Sequence, residues 1–308
     1  MTGGVDPIPA PRIAGGPRGR RALDPRRSTF WALSLPATLA LLAFIVLPLL
    51  FMVALSFRPD LRGELLAPFE PTLKHYEQAA GTFNYWRILG LSGLMAAIVA
   101  AVATAAAFPV AYFLAFRAGR RASLYLILLL VPFWTSYLLR VMAWRLMLDT
   151  NGVINGTLVG IGVLEAPLDD LLYTRNAVVL TLIYVWIPFA TLPILAALGR
   201  IDVRLHDAAA DLYASPWQQL RRVTIPLALP GIAAAFLMVF IPTVGEYVTP
   251  ILVGGTGGSM YGNLIYEFFV RAANWPLGSA MAVFMLIVTL ILVVVGLRVV
   301  RPRRLLGV

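Results

Sequence analysis

Six runs of more than twenty mostly apolar residues divide the chain: 30–57, 88–116, 122–144, 176–198, 228–253 and 277–297. A helix rises about 1.5 Å per residue, so about 20 such residues cross the roughly 30 Å hydrocarbon core of a bilayer. Within that core only the chain itself can satisfy backbone N–H and C=O groups, which leaves the α-helix as the form for these runs. Composition agrees: 60% of the 308 residues are apolar and 13% are charged, against about 45–50% and about 25% in soluble domains. The expected fold class is all-α, a polytopic membrane protein with six transmembrane helices. A soluble enzyme and a disordered chain are excluded. The first run follows an Arg-rich segment, as in a signal peptide, but it is much longer than the about 7–15 residues of a signal core. It reads as a retained helix.

The net charge is +10. The basic residues sit in tails and loops around the apolar blocks, which suits a membrane surface and not a nucleic-acid groove. Segments 1–29, 117–121, 199–227 and 298–308 carry seventeen Lys and Arg, and segments 58–87, 145–175 and 254–276 carry seven. By the positive-inside rule both termini and loop 199–227 are expected in the cytoplasm. Residues 1–29 read as a disordered Arg/Pro-rich tail able to touch anionic lipid. Residues 30–297 form the six-helix membrane domain, and residues 298–308 a second cytoplasmic tail.

Much chemistry is absent. The chain has no Cys and only His75 and His206, so no thiolate site or imidazole cluster is expected, and no cofactor. No G-x-x-x-x-G-K-[ST], H-E-x-x-H or G-x-S-x-G occurs, so the chain neither cradles ATP phosphates nor resembles a membrane hydrolase. Gly254, Gly255, Gly257 and Gly258 read as a flexible outer loop. Energy for transport would come from a partner subunit or an ion gradient.

Loop 199–227 is too long and too patterned for a simple connector. Residues 203–212 have helical composition. Ser215, Pro216 and Gln218 then spell a capping box with proline at the first helical position. Two short helices at an angle are expected, and Ala208, Ala209 and Ala210 would let another surface approach closely.

This loop resembles the E-A-A loop of permease subunits of bacterial ABC importers. The family pattern is E-A-A, three residues, Gly, nine residues, then I-x-L-P. Here Asp207-Ala208-Ala209 is followed without a gap by Tyr213 and by Val223-Thr224-Ile225-Pro226. The resemblance implies a type I importer permease fold. It implies that Asp207, Ala208, Ala209, Asp211, Tyr213 and Pro226 couple the chain to an ATP-binding subunit. Asp207 shortens the family Glu, and Tyr213 stands where Gly would take φ > 0 cheaply. Tyr213 either uses an ordinary backbone and turns differently, or carries strain.

Further segments resemble the spermidine/putrescine permease group: residues 131–144 (VPFWTSYLLRVMAW), 151–155 (NGVIN), 240–255 (FIPTVGEYVTPILVGG), 262–265 (GNLI) and 274–283 (NWPLGSAMAV). The resemblance implies a polyamine as solute. The implied partners are a second permease, two ATP-binding subunits and an external solute-binding protein, all at the cytoplasmic membrane. A permease for another small solute, such as an amino acid or other organic ion, and an ion-coupled secondary transporter are the alternatives.

The residues themselves mark a candidate pathway. Phe133, Tyr137, Arg140 and Trp144 recur at helical spacing and would share a face of one straight span. Glu246 is the only acid within any run, and a mid-bilayer charge costs about 2.5–3.5 kcal/mol on insertion scales. It should face protein or a watery cavity. Glu246 can attract a polyamine ammonium, with Trp134, Tyr137 and Tyr247 offering cation–π faces. Alternatively Arg140 and Glu246, each eighteen residues into a span of the same direction, pair with each other. Pro132 and Pro242 lie beside these positions and mark candidate kinks.

Overall fold

The computed structural model describes residues 25–59 and 70–300. The tails therefore fall largely outside the described residues. The chain divides into two compact units, residues up to Phe51 and residues from Met52 onward. The described part of the first unit is most of α1 (Pro25–Ser56), which starts a few residues before the expected apolar boundary. Its first residue is a proline, tolerated there because a first-turn N–H has no intrahelical partner.

The second unit is helical throughout its described elements: α2 (Lys74–Gly81), α3 (Phe83–Phe116), α4 (Ala122–Leu130), α5 (Tyr137–Leu148), α6 (Val153–Gly160) and α7 (Arg175–Leu198), then α8 (Arg204–Asp211), α9 (Pro216–Gln219), α10 (Ile225–Val244), α11 (Tyr261–Tyr266) and α12 (Trp275–Val300). Among the described residues five helices are long and apolar enough to span a bilayer, and the bent pair counted as one span makes a sixth.

The core is built from α3, α7 and α10. Ala96, Ala100, Ala103, Ala107 and Ala111 of α3 are fully buried in it. Lipid tails are as apolar as leucine, so helices in a membrane associate through close van der Waals contact, which small residues permit. Gly231 of α10 shows this most sharply. A Cβ there would lie 2.6 Å from the Pro193 carbonyl oxygen of α7. A second cluster joins Ala79, Leu89, Tyr261, Leu277 and Met281. It is tied to the core by Ser92, whose hydroxyl donates to Ile88 O at 2.8 Å and accepts from Tyr261 N at 2.7 Å.

Two spans are not straight. The third expected run is broken: segments Gly119–Trp134 and Tyr137–Gly160 meet at 86°. Pro132 opens a tight 3-10 turn, and Thr135 and Ser136 are extended. The Thr135 hydroxyl donates to Pro132 O at 2.6 Å, giving that carbonyl a partner where the helix stops. The expected single face is thus corrected, because Phe133 precedes the bend and Tyr137, Arg140 and Trp144 follow it. The fifth run also breaks. α10 ends at Val244, two residues after Pro242, and helix resumes at Val248 and continues as a wide π turn, Pro250–Gly254.

The glycine-rich stretch after it is a turn held at two points, with Thr256 and Gly257 exposed at its tip. Gly255 has φ +56°, and a Cβ there would meet Tyr173 at 2.8 Å. Arg175 Nε donates to Gly257 O at 2.7 Å.

Candidate functional site

The two helix breaks meet. Tyr137 is the first residue of α5, immediately after the 86° bend, and its hydroxyl lies 2.5 Å from Thr249 Oγ1 beyond the break in the fifth span. Glu246 sits in that break. Its Oε1 accepts from Val248 N at 2.9 Å and Thr249 N at 3.1 Å. It therefore caps the resumed helix, satisfying amides that the break orphans and placing negative charge at a helix N-terminus. Gly262 and Asn263 support the break from α11. A Cβ at Gly262 would sit 2.7 Å from Glu246 O, and Asn263 Nδ2 donates to Tyr247 O at 3.1 Å.

No ion pair joins Arg140 to Glu246 among the described residues. The Arg140 guanidinium lies 4.4 Å from the centre of the Phe133 ring and 5.9 Å from that of Tyr137, and its Nε is buried without a hydrogen-bond partner. Phe133 in turn packs edge-on against Phe189 of α7 at 4.1 Å. Of the pathway residues read from the sequence, Tyr137, Arg140 and Glu246 come together: the Arg140 guanidinium lies beside the Tyr137 ring, and Thr249 bonds both the Tyr137 hydroxyl and the Glu246 carboxylate. Tyr247 stacks on Tyr266 at 5.3 Å. Trp134 is 82% exposed, and among the described residues no side-chain hydrogen bond or ring contact ties it to the cluster. A groove of about 750 Å³ between α3, α10 and α12 is lined by apolar side chains and the single hydroxyl of Thr104, so it offers nothing to hold a charged solute.

Loop 199–227 folds as follows. α8 covers Arg204–Asp211, within the residues expected to be helical. Tyr213 N donates to Ala210 O at 2.8 Å and Ala214 N to Ala209 O at 3.0 Å. That pair of bonds is a Schellman motif, whose C′ residue is left-handed. Tyr213 holds that position with φ +56° and is 97% exposed. The strained alternative is the one adopted. Asp207, Ala208, Ala210 and Asp211 are exposed, whereas His206 and Ala209 are half-buried.

The capping box forms, with Gln218 N donating to Ser215 Oγ at 3.3 Å and Ser215 N to Gln218 Oε1 at 2.9 Å. It does not open a separate second helix. Pro216 begins a continuous rod, Pro216–Val244, that becomes the fifth span. Pro226 explains the π turn at Leu220–Thr224 within it. Proline brings no N–H to the preceding carbonyls, so the ladder widens locally instead of continuing in α register. At about 1.5 Å per residue the 29-residue rod is about 44 Å long. It links the capping box at one end to the Glu246 break at the other.

Sequence reasoning did not single out Thr249, Gly262, Asn263, His206 or Thr224. Thr249 is hidden when 228–253 is taken as one straight helix, although Pro242 and the Glu246–Thr249 spacing are available signals; Gly262 and Asn263 lie in a segment, 262–265, that carries only the permease resemblance.

Broken spans joined at a half-buried polar cluster, a small-residue helical core and an exposed short helix between spans fit a membrane permease. Residues 9–305 match the family described as the binding-protein-dependent transport system inner membrane component. The chain is 32% identical over 264 residues to the spermidine/putrescine transport system permease protein PotB of Haemophilus influenzae, covering 84% of this chain and 89% of that one. It is 34% identical over 250 residues to PotB of Escherichia coli K12, covering 80% and 89%. The fold is similar to a chain in the crystal structure of a bacterial ABC transporter involved in the import of the acidic polysaccharide alginate. There the TM-score is 0.71 at 18% identity, over 91% of this chain and 97% of that chain. The chain belongs to the binding-protein-dependent transport system inner membrane component family. It is a multi-pass ABC importer permease, a transporter subunit and not an enzyme.

Proposed function

We propose that this permease carries a polyamine of the spermidine/putrescine class into the cell, driven by ATP hydrolysis in a partner. The observation that carries the solute is the 32–34% identity to permeases named for spermidine and putrescine, across at least four-fifths of the chain. The working unit is a heterodimer with a second permease, two ATP-binding subunits and an external solute-binding protein. Both termini and loop 199–227 face the cytoplasm, in keeping with the seventeen-to-seven bias of basic residues. Residues 1–29 and 298–308 are cytoplasmic tails flanking the permease domain at 30–297.

Asp207, Ala208 and Asp211 on the exposed face of α8 meet the ATP-binding subunit. Ala209 fits α8 against its own body, Tyr213 sets the turn that ends the helix, and Pro226 sets the π turn in the rod. At the other end of the rod, Glu246 uses one oxygen for two backbone amides. A carboxylate has about four lone-pair sites, so capacity remains for an ammonium group. Tyr137 and Tyr247 add aromatic faces beside it, and Trp134 stands at the exposed margin.

A second reading has one observation in its favour. Among the described residues no acid pairs with Arg140, so the cluster offers both charges and would also suit a zwitterionic amino acid. The test is uptake of radiolabelled spermidine into proteoliposomes holding the full importer. ATP-dependent uptake competed by putrescine and not by amino acids is the expected result. Gradient-driven uptake by this chain alone would refute the ATP-coupled reading.

A further inference from the structure

α8 is an outlying helix. Six of its eight residues, Arg204, Leu205, Asp207, Ala208, Ala210 and Asp211, are exposed. Of the two that turn inward, Ala209 offers only a methyl group. His206 offers an imidazole, and it makes two directional contacts with two different spans. Its Nε2 is 3.0 Å from Thr224 Oγ1. Its ring meets the Phe116 ring edge-on, with centroids 5.1 Å apart.

Both contacts fall at mechanically significant places. Thr224 is fully buried and closes the π turn at the base of the rod, where its hydroxyl also reaches Gln219 O at 3.5 Å. Gln219 Nε2 donates to Ala214 O at 3.0 Å, returning to the turn that ends α8. Phe116 is the last residue of α3, and its ring continues onto Tyr112 at 5.0 Å. Apolar contacts such as those of Leu205 can slide. A hydrogen bond into a buried hydroxyl, combined with an edge-on ring contact, fixes the angle of α8 against both helices.

We propose that His206 is the positioning residue through which movement of α8 reaches the spans. Displacement of α8 is delivered at Thr224 to the rod that ends at Glu246, and at Phe116 to α3 of the core. This rests on the reading of α8 as the contact with an ATP-binding subunit, and it adds the inward half of that connection. No other side chain of α8 makes a hydrogen bond or ring contact with the spans among the described residues.

The experiment uses the reconstituted full importer and records spermidine uptake and phosphate release in the same vesicles. His206→Ala should lower uptake per ATP at least three-fold while the ATP-binding subunit still co-purifies in normal amount. Thr224→Val, close in shape but lacking the hydroxyl, should do the same. The double variant should be no worse than His206→Ala alone, because the bond that Thr224→Val removes is already lost with the imidazole. His206→Gln, which keeps a side-chain donor, should recover most of the ratio. An unchanged ratio in His206→Ala overturns the proposal. So does a fall in uptake matched by an equal fall in assembled complex, which makes the residue merely structural. So do additive losses in the double variant. Absence of ATP-driven uptake by the wild-type importer removes the transport reading and this inference together, a result distinct from failure of the variants alone.

Discussion

Replacing Tyr213 with glycine should stabilise the end of α8. Tyr213 has φ +56° and is 97% exposed. A left-handed backbone costs a residue with a Cβ roughly 1–2 kcal/mol. Glycine removes that cost and gives back about 0.5–1 kcal/mol through its freer unfolded chain. With so little of the side chain packed, no contact energy is lost on truncation. The net gain is about 0.5–1 kcal/mol, local to the turn. Opening of a peripheral helix is read by amide hydrogen exchange and not by global melting. Exchange at Leu212, Tyr213 and Ala214, whose amides bond back to Ala208, Ala210 and Ala209, should slow about two- to five-fold in the purified permease. Tyr213→Ala keeps the Cβ and should show no such slowing. Faster exchange in the glycine variant, or equal slowing in the alanine variant, would refute strain as the cause.

Other outcomes follow from named contacts. Gly231→Leu should lower the thermal midpoint of the detergent-purified chain, since overpacking costs about 1–3 kcal/mol and α7 leaves no room there; an unchanged midpoint contradicts the close approach. Glu246→Gln keeps an acceptor for Val248 and Thr249 and should leave the fold intact while raising the KM for spermidine about ten-fold, the effect of about 1.4 kcal/mol. Glu246→Ala should also lower the midpoint, because a lost cap costs about 1 kcal/mol. A wild-type KM in the glutamine variant would take Glu246 off the pathway. Asp207→Arg with Ala208→Trp, both on the exposed face of α8, should cut co-purification of the ATP-binding subunit several-fold while monodisperse permease is still recovered; full recovery would remove α8 as the docking element.

Helix positions were legible in the sequence because membrane insertion reads length and hydropathy, which are properties of a local run. The turn chemistry of loop 199–227 was legible for the same reason. Ser215, Pro216 and Gln218 are neighbours whose cap forms without help from elsewhere. Hydropathy is indifferent to whether an apolar run is straight. Pro132 and Pro242 mark candidate kinks in the sequence, but the 86° angle of the first bend and the loss of helix at 245–247 appear only in the folded chain. That is why Phe133 left the face assigned to it. It is also why Glu246, placed inside a helix by its sequence position, instead caps the start of another.

Pairing was decided by tertiary structure alone. Arg140 and Glu246 carry opposite charges at matching sequence depths, yet backbone amides took the carboxylate and a Phe133 ring took the guanidinium. Tyr137 and Thr249, 112 residues apart, have no pattern that joins them in the sequence. Residue order determines which segments become helices and where a cap can form, because those depend on neighbours a few positions away. Which polar group meets which depends on how the spans break and cross, and that is set only when the helices pack.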